Sequence, residues 1–390
     1  MHKKILFINE HLYAGGVERS LVDVLRHLDY SKYEVDLLLL EGAGDYINEI
    51  PAGVNLILND IRLAYGPLEQ VIYNNFKKKN WFGIKYRLAL FSSRFIGNTV
   101  YRIIAKLLSI NKPYDITIAY RIGPSADIIA HGVKAKQKIC WWHHGAICED
   151  HDTKSWLQVW AHFDRLIAVS NGVRDILANL SNDLIPKLRV IPNMVDVEQI
   201  CAMGNDGGNP YSNYDGLKFV TVGRIVAEKH IENVVNAAVR LRADGRLNFK
   251  WYIIGDGDLY NQIEALIREN NIAGQVILCG RKANPYPYIK HADMMIHTSH
   301  IESQGLVIQE AMALGTPCVV TRSVGPSEFI IDGENGVMVE PTVNSLIEGI
   351  YKLAENKELQ KKVVNNSIKF IDRYTPQAII EQFENLLSYD

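Results

Sequence analysis

Short apolar runs alternate with helical stretches along most of the sequence, and this alternation limits the possible folds more than any other feature. The first run, Lys4–Asn9, is followed by Gly15-Gly16 and then by apolar residues at helical spacing. Strands that alternate with helices predict a parallel sheet with helices on both faces. Further runs of this kind are Tyr33–Leu40, Val54–Leu58, Asp115–Tyr120, Lys138–Trp142, Arg165–Ser170 and Leu188–Ile191.

A segment rich in Gly, Asn, Pro and Asp, residues 201–216, interrupts this alternation, which restarts at Lys218–Val222. At roughly 100–200 residues per domain, a chain of 390 residues suggests two domains. We therefore predict an α/β fold with two doubly wound, Rossmann-like domains, 1–200 and 217–372, that face a cleft and are joined by a linker, 201–216. Residues 373–390 have one apolar stripe after Pro376 and are predicted to form a C-terminal helix.

Net charge and hydropathy indicate where the protein is located and which classes of partner it is not expected to bind. The formal net charge is −2, which gives no reason to expect a nucleic-acid partner. No apolar run approaches the roughly 18 residues that cross a membrane, and the apolar part of the N-terminus is too short for a signal peptide. We therefore expect a cytoplasmic location.

The segment His300–Gly315 carries the clearest candidate site. It reads as a loop and a short helix after an apolar strand, with Glu302 on the loop and Glu310 one turn inside the helix. Side chains on a helix lean toward its N-terminus, so Glu310 points toward Glu302, and the same end offers amides that suit a phosphate. Two carboxylates beside an anion site suit a sugar nucleotide. The alternative is an ordinary helix with solvated acids.

Other candidate ligand contacts follow the first strand of each predicted domain. Gly15 and Gly16 lack side chains, so their amides can approach a ligand closely, although a plain tight turn is the alternative. Arg224 and Lys229 follow Lys218–Val222 and can hold a diphosphate, although surface charges are the more ordinary explanation.

Two histidines follow the strand Lys138–Trp142. Adjacent residues of an extended segment point in opposite directions, so we expect at most one of His143 and His144 to face the cleft. His151 and Asp152 are close in sequence, but no ligand spacing supports a metal site, and none is predicted. Asp256 and Asp258 form a D-x-D pattern, which we interpret as turn and helix-cap chemistry.

The stretch Phe76–Lys112 combines basic and aromatic residues and lies in an interval without acidic residues. This combination is typical of proteins that rest on anionic lipid, where each Lys or Arg contributes about 1 kcal/mol. A solvated basic surface and nucleic-acid binding are the alternatives, and no nucleic-acid motif accompanies the stretch.

Together these features resemble the retaining GT-B glycosyltransferases of family four, which include many bacterial capsule, exopolysaccharide and lipopolysaccharide enzymes. The resemblance covers nearly the whole chain and depends on motifs in a characteristic order. The most specific is Glu302 and Glu310 with seven residues between them, followed by AMALGTPCVVT. The others are GGVER at Gly15–Arg19, W-x-H at Trp141–His143, VGR…EK at Val222–Lys229, the GDG turn at Gly255 and NGV at Asn335–Val337.

The resemblance implies a metal-independent hexosyltransferase-type enzyme whose donor is a nucleotide sugar, with UDP the favoured nucleotide, and whose acceptor is a glycan or lipid-linked hydroxyl. It implies that the C-terminal helix crosses back to the first domain. No cofactor is implied. The implied catalytic residues are Glu302, His143, Arg224 and Lys229, and the implied nucleotide and phosphate contacts are Gly15, Gly16, Arg224, Lys229, Arg281, Gly305, Leu306 and Glu310.

The chain departs from the family at Ser303-Gln304-Gly305, where many members carry Gly-Phe-Gly, and at His230, where glycine is common. The first departure changes the expected donor-sugar pocket. Two other functions stay open at this stage, a UDP-sugar 2-epimerase of the same architecture and a non-catalytic sugar-nucleotide-binding protein. The 2-epimerase would leave the basic stretch Phe76–Lys112 unexplained.

Overall fold

A computed structural model describes residues 2–61, 67–147 and 152–388. Its N-terminal half contains a seven-stranded sheet in which all strand pairs are parallel. The strands are β1 (Lys3–Asn9), β2 (Tyr33–Leu39), β3 (Val54–Leu58), β4 (Tyr114–Ala119), β5 (Ala135–Trp142), β6 (Arg165–Ala168) and β7 (Leu188–Val190). Their spatial order is β3-β2-β1-β4-β5-β6-β7.

Eight α-helices lie in the described part of the N-terminal half. They are α1 (Gly16–His27), α2 (Leu68–Lys77), α3 (Trp81–Ile96), α4 (Val100–Leu107), α5 (Pro124–Gly132), α6 (Thr153–Trp160), α7 (Asn171–Ala178) and α8 (Val197–Asn205). Because side chains alternate across a strand, Ile5 and Phe7 of β1 enter one apolar cluster, and Leu6 and Ile8 enter another. The sheet is therefore buried on both faces, as its continuous apolar strands predict.

The C-terminal half repeats this architecture with six parallel strands. They are β8 (Leu217–Val222), β9 (Phe249–Ile254), β10 (Val276–Leu278), β11 (Met294–His297), β12 (Cys318–Thr321) and β13 (Val337–Val339), in the order β10-β9-β8-β11-β12-β13. The helices are α9 (Ile231–Asp244), α10 (Tyr260–Glu269), α11 (Tyr286–Lys290), α12 (Leu306–Ala313), α13 (Val343–Ala354) and α14 (Lys357–Ile371).

The strand order of each sheet reverses beside its first strand. In the N-terminal sheet the reversal lies between β1 and β4, and in the C-terminal sheet between β8 and β11. Open α/β sheets bind ligands in the crevice at such a reversal, outside the carboxyl ends of the strands. The topology therefore confirms the prediction of two Rossmann-like domains and gives each a ligand-binding edge.

The last helix, α15 (Pro376–Ser388), packs against the N-terminal domain. Phe383 is fully buried there, with its ring centroid 6.3 Å from that of Phe7 and 5.5 Å from that of Trp141. The predicted crossing of the C-terminal helix is thus confirmed.

The predicted linker, 201–216, is not irregular throughout, because α8 includes Cys201–Asn205. This part of α8 packs on α11, where the side-chain amide of Asn284 donates to the carbonyl of Met203 at 2.8 Å. The domain limits themselves stay a prediction. Among the described residues, no helix has the length and apolar character needed to cross a lipid bilayer.

Candidate active site

A cavity of about 580 Å³ lies between the two domains, at the edges where the strand orders reverse. The resemblance implied a set of site residues drawn from both domains. All of them line this one cavity: Gly15, Gly16, His143, Arg224, Lys229, Arg281, Glu302, Gly305, Leu306 and Glu310.

Glu302 is held by two neighbours from its own domain. Lys229 Nζ forms an ion pair with Glu302 Oε2, and Nε2 of His297 lies 3.2 Å from the same oxygen. His297 ends β11, its side chain is 4% exposed, and the side chain of Glu302 is 15% exposed. The three side chains therefore form a compact cluster, the Glu302 cluster, at the cavity wall.

The Glu302 cluster fixes the charge of its members. Burial raises the pKa of Glu302, but the charge of Lys229 and the hydrogen bond with His297 outweigh it and bring the pKa to about 2. Burial lowers the pKa of His297 despite the opposing effect of Glu302. At neutral pH, Glu302 is therefore ionised, and the neutral His297 imidazole donates from Nε2 to the carboxylate.

The loop that carries Lys229 is hydrogen-bonded to the end of β11. The hydroxyl of Thr298 donates to the carbonyl of Lys229 at 2.7 Å, and that of Ser299 donates to the carbonyl of Glu228 at 3.0 Å. These backbone contacts keep the cation at a fixed distance from the Glu302 loop.

Glu310 lies on the adjacent helix, α12, which begins at Leu306 directly after Gly305. Gly305 has φ = 79°, a left-handed conformation that favours glycine and turns the chain sharply into the helix. The hydroxyl of Tyr286 donates to Glu310 Oε1 at 3.1 Å. Burial raises the pKa of Glu310, while Tyr286 and Arg19 oppose this shift. The carboxylate thus lies one helical turn from the free amides at the helix start.

The N-terminal domain contributes the Gly15–Gly16 turn to the opposite wall. A Cβ added to Gly16 would lie 3.5 Å from Leu306 Cδ1, so the two domains nearly touch here. At the rim, Asp45 accepts from the amide of Ala14 at 2.7 Å and forms an ion pair with Arg281 of the other domain. The turn therefore faces the start of α12 across the cavity.

His143 and His144 both line the cavity, so the prediction that at most one of them faces it is too strict. The ring of His143 stacks on that of Trp141, with an interplanar angle of 6°, and lies 4.9 Å from that of Tyr120. Burial and the nearby Arg121 hold the pKa of His143 well below its usual range, although a hydrogen bond with the Tyr120 backbone opposes them. In the described part of the chain, no group hydrogen-bonds to the buried Nε2 of this neutral ring.

The D-x-D pattern behaves only partly as predicted. Asp256 Oδ1 accepts from the amide of Gly257 at 2.8 Å, which is turn chemistry. The helix α10 is preceded by Leu259 without any side-chain cap, so the cap interpretation is wrong. Within the described ranges, no group of three His, Cys, Asp or Glu side chains is arranged to hold a metal ion, and His151 lies outside those ranges.

Two protein-family models match the chain. The model of glycosyl transferases group 1 matches residues 211–370, and that of glycosyltransferase family 4 matches residues 14–199. The chain is a family-four glycosyltransferase with the GT-B fold.

Relatives of this glycosyltransferase include an uncharacterized glycosyltransferase of Methanocaldococcus jannaschii, 32% identical over 216 residues, or 54% of this chain and 56% of the relative. Another is the N-acetylgalactosamine-N,N'-diacetylbacillosaminyl-diphospho-undecaprenol 4-alpha-N-acetylgalactosaminyltransferase of Campylobacter jejuni, 30% identical over 209 residues, or 52% of this chain and 54% of the relative. The chain thus spans about half the length of these curated relatives.

A solved structure with the same fold is that of Anabaena HepE in complex with UDP and glucose. It superposes with a TM-score of 0.75 at 18% sequence identity, and the match covers 99% of this chain and 100% of the other.

Sequence reasoning did not identify His297, which contacts Glu302, or the cavity residues Arg121 and Tyr286. His297 was included in an apolar strand, and only its place at the strand's carboxyl end could have indicated a role. Arg121 lies two residues after the end of β4, and its NH1 lies 3.6 Å from a carboxylate oxygen of the buried Glu18. Tyr286 begins the short helix α11, which has no motif of its own.

Proposed function

We propose that the chain transfers a sugar from a nucleotide-diphosphate sugar, with UDP as the favoured nucleotide, to a hydroxyl of a glycan or lipid-linked acceptor in cell-surface polysaccharide synthesis. The observation that carries this proposal is the single cavity that combines Glu302, Glu310, Arg224, Lys229 and the start of α12. Two of the similar proteins support the classes of donor and acceptor: HepE was solved in complex with UDP and glucose, and the Campylobacter jejuni transferase is named for a diphospho-undecaprenol-linked sugar.

In this proposal, the C-terminal domain holds the donor. Glu310 accepts from the ribose hydroxyls, and the amides at Gly305 and Leu306 donate to the distal phosphate. Arg281 lies near the base. Lys229 has three ammonium hydrogens, so it can pair with Glu302 and still donate to the diphosphate, beside the exposed Arg224.

The N-terminal domain completes the donor site from the opposite wall. The amide of Gly16 approaches the phosphates, and the neutral His143 offers an acceptor nitrogen to a sugar hydroxyl. Glu302, ionised at neutral pH, accepts from other hydroxyls of the donor sugar. Its position against Lys229 and His297 favours this binding role over nucleophilic attack.

The proposed reaction retains the configuration at the anomeric carbon. The acceptor oxygen forms a bond to this carbon while the bond to the diphosphate oxygen breaks, and the acceptor proton passes to the departing phosphate. Negative charge grows on the diphosphate, where Arg224, Lys229 and the α12 amides stabilise it. Because these groups supply positive charge, we expect no metal requirement, and activity in EDTA tests this.

The function is tested first by thermal shifts with UDP, GDP, ADP and NAD. A ligand at 100 times its Kd adds about 2.7 kcal/mol, which raises the melting temperature by several degrees. We expect a shift with UDP, and then transfer from UDP-sugars to lipid-linked acceptors with an α-linked product from an α-linked donor, read by NMR. Conversion of one UDP-sugar into its 2-epimer in the absence of an acceptor would instead indicate the epimerase. No thermal shift with any nucleotide would refute the proposal.

We further propose that the acceptor is reached at the inner face of the membrane, where a basic–aromatic surface on α2, α3 and α4 contacts anionic lipid. Large apolar side chains are exposed there, including Phe76 (62%), Trp81 (58%) and Phe95 (80%), while Tyr86 of the same stretch is buried in the core. The exposed cations of this surface are Lys77, Lys78, Lys79, Lys85, Arg94, Arg102 and Lys106. Lys112, included in the predicted stretch, pairs instead with Asp36 at 2.8 Å.

Liposome flotation tests the membrane contact. We expect binding to anionic vesicles at low salt, weaker binding to neutral vesicles, and loss of binding in the double variant Trp81→Ser/Phe95→Ser. The matched control is Ile368→Ser, which changes an apolar side chain that is 44% exposed on the C-terminal domain. Equal flotation of all three proteins, or none with any vesicle, would contradict a lipid role for this surface.

A further inference from the structure

Gln304 stands where many family members carry the phenylalanine of Gly-Phe-Gly, and its side chain is buried, with the residue 3% exposed. Its Oε1 accepts from the backbone amide of Asn193 at 2.7 Å. Its Nε2 donates to the carbonyl of the same Asn193 at 3.0 Å and to Oε1 of Gln309 at 2.8 Å. One side-chain amide thus pairs with both polar backbone groups of a residue in the segment after β7.

Asn193 extends these contacts into the N-terminal domain. Its Oδ1 accepts from the hydroxyl of Ser20 on α1 at 2.6 Å, and that hydroxyl also shares a hydrogen bond of 2.8 Å with the hydroxyl of Tyr120. The ring of Tyr120 in turn lies 4.9 Å from the ring of His143. We call Gln304, Asn193, Ser20 and Tyr120 the Gln304 network.

The Gln304 network connects the two walls of the cavity. One end adjoins residues 302–305, which we call the donor loop, and the other end contacts His143. Next to it, the hydroxyl of Ser170 on the N-terminal domain donates to the carbonyl of Ser303 at 2.8 Å. These polar groups are buried, so removing one hydrogen-bond partner leaves the other group unsatisfied at a cost in free energy. That cost favours an arrangement of the two domains in which the group finds another partner.

We propose that Gln304 is a positioning residue that aligns the donor loop with His143 by pairing with the backbone of Asn193. This inference depends on the proposed function for its kinetic consequence. A glutamine suits the position because it offers one acceptor to the Asn193 amide and one donor group to two oxygens. Glutamate has the same shape but places an oxygen against both oxygens, and methionine keeps the length without any polar partner.

The test compares Gln304→Met and Gln304→Glu with the control Gln360→Met. Gln360 also donates to a backbone carbonyl, that of Leu353 at 2.7 Å, but lies on α14, away from the cavity. We expect kcat to fall about 10- to 100-fold in both Gln304 variants, because misplacement of about 1 Å costs up to that factor. The Kd for UDP should stay within about threefold of wild type, because the proposed ribose and base contacts, Glu310 and Arg281, lie outside the loop that carries Gln304.

A second readout does not need catalysis. The amide of Asn193 donates to Gln304 itself, so its hydrogen exchange should quicken at least about tenfold in Gln304→Met and stay unchanged in Gln360→Met. Inactivity of the wild type would refute the proposed function and leave this readout to decide the positioning role. Unchanged exchange of the Asn193 amide in a folded Gln304→Met protein would overturn the inference, even with the enzyme active.

The double variant Ser20→Ala/Gln304→Met tests whether the residues act together. Contacts in one network give non-additive effects, so we expect its kcat to be within about threefold of the slower single variant. Losses that multiply, or wild-type kcat in both Gln304 variants, would overturn the inference.

Discussion

The ion pair between Lys229 and Glu302 allows the sharpest quantitative prediction. The two side chains are 21% and 15% exposed, so the pair is intermediate between an exposed and a buried ion pair. Removal of one partner from a buried pair costs about 3–5 kcal/mol, and exposed pairs contribute about 0–1 kcal/mol. His297 still contacts the carboxylate in Lys229→Met. We therefore expect this variant to lose about 2 kcal/mol at pH 7.

This loss should depend on pH. The folded-state pKa of Glu302 is about 2, below its ordinary value of 4.5, so its stabilisation is fully present above about pH 4.5 and is lost as the pH falls toward 2. The pKa of Glu302 should rise in Lys229→Met, because the charge of Lys229 no longer stabilises the carboxylate. Lys229→Met and wild type should therefore differ most at neutral pH and converge as the carboxylate becomes protonated.

Thermal unfolding followed by circular dichroism measures these differences. A loss of about 2 kcal/mol lowers the melting temperature of a domain of this size by roughly 4–8 °C. The matched control is Lys352→Met, whose 2.9 Å pair with Asp332 has side chains 47% and 49% exposed and should matter little. Adding Glu302→Gln to Lys229→Met should recover stability, because no unpaired charge remains, but should not recover activity.

A melting temperature of Lys229→Met equal to that of wild type at pH 7, or a double variant less stable than Lys229→Met, would contradict this expectation. Catalysis provides an independent check. Removing one preorganised donor costs about 10²–10³ in rate in known cases, so we expect a kcat loss of that order in Lys229→Met. Wild-type turnover would refute its proposed role at the diphosphate.

Three further predictions concern other parts of the chain. In Gly145→Ala, the new Cβ would lie 2.5 Å from the backbone carbon of Glu302, so kcat should fall at least about tenfold, whereas Gly274→Ala, with nothing within 4 Å, should retain activity. Burial raises the pKa of Asp23 to about 7 despite the nearby arginines, so its ionisation destabilises the fold as the pH rises from 4 to 7. Asp23→Asn should therefore melt higher than wild type at pH 8 and similarly at pH 4; a constant difference across this range would contradict the assignment. Phe383→Ala empties a fully buried site between the C-terminal helix and the N-terminal domain and should cost about 3–5 kcal/mol in denaturant unfolding, and a loss below 1 kcal/mol would show that α15 is not part of that core.

The sequence predicted the elements whose signals are local. Buried parallel strands are continuous apolar runs, so both sheets were predictable, and Glu302 and Glu310 belong to one short motif. Gly16 and His143 of the other domain were candidates from their own positions, and the resemblance assigned them to the same site. The structure places all of them around one cavity.

Contacts between distant parts of the chain were not predictable. Gln304 pairs with a residue 111 positions away, so the sequence indicated only an unusual residue in the donor loop. His297 belongs to an apolar strand in the sequence. Nothing in the sequence shows that its buried ring contacts Glu302. The Asp256–Asp258 pattern was misread as a cap, since Gly257 and Leu259 carry the chain through the turn before α10 begins.

The central claim is that Glu310 and the start of α12 hold the ribose and diphosphate of a nucleotide. Calorimetric titration of UDP into wild type, Glu310→Ala and the control Glu340→Ala tests it most directly, because Glu340 is an exposed acid of the same domain whose side chain pairs with Arg322. The account predicts that wild type and Glu340→Ala bind UDP alike and that Glu310→Ala binds at least about tenfold more weakly, which corresponds to 1.4 kcal/mol. Equal affinity in all three proteins, or no binding to wild type, would contradict it.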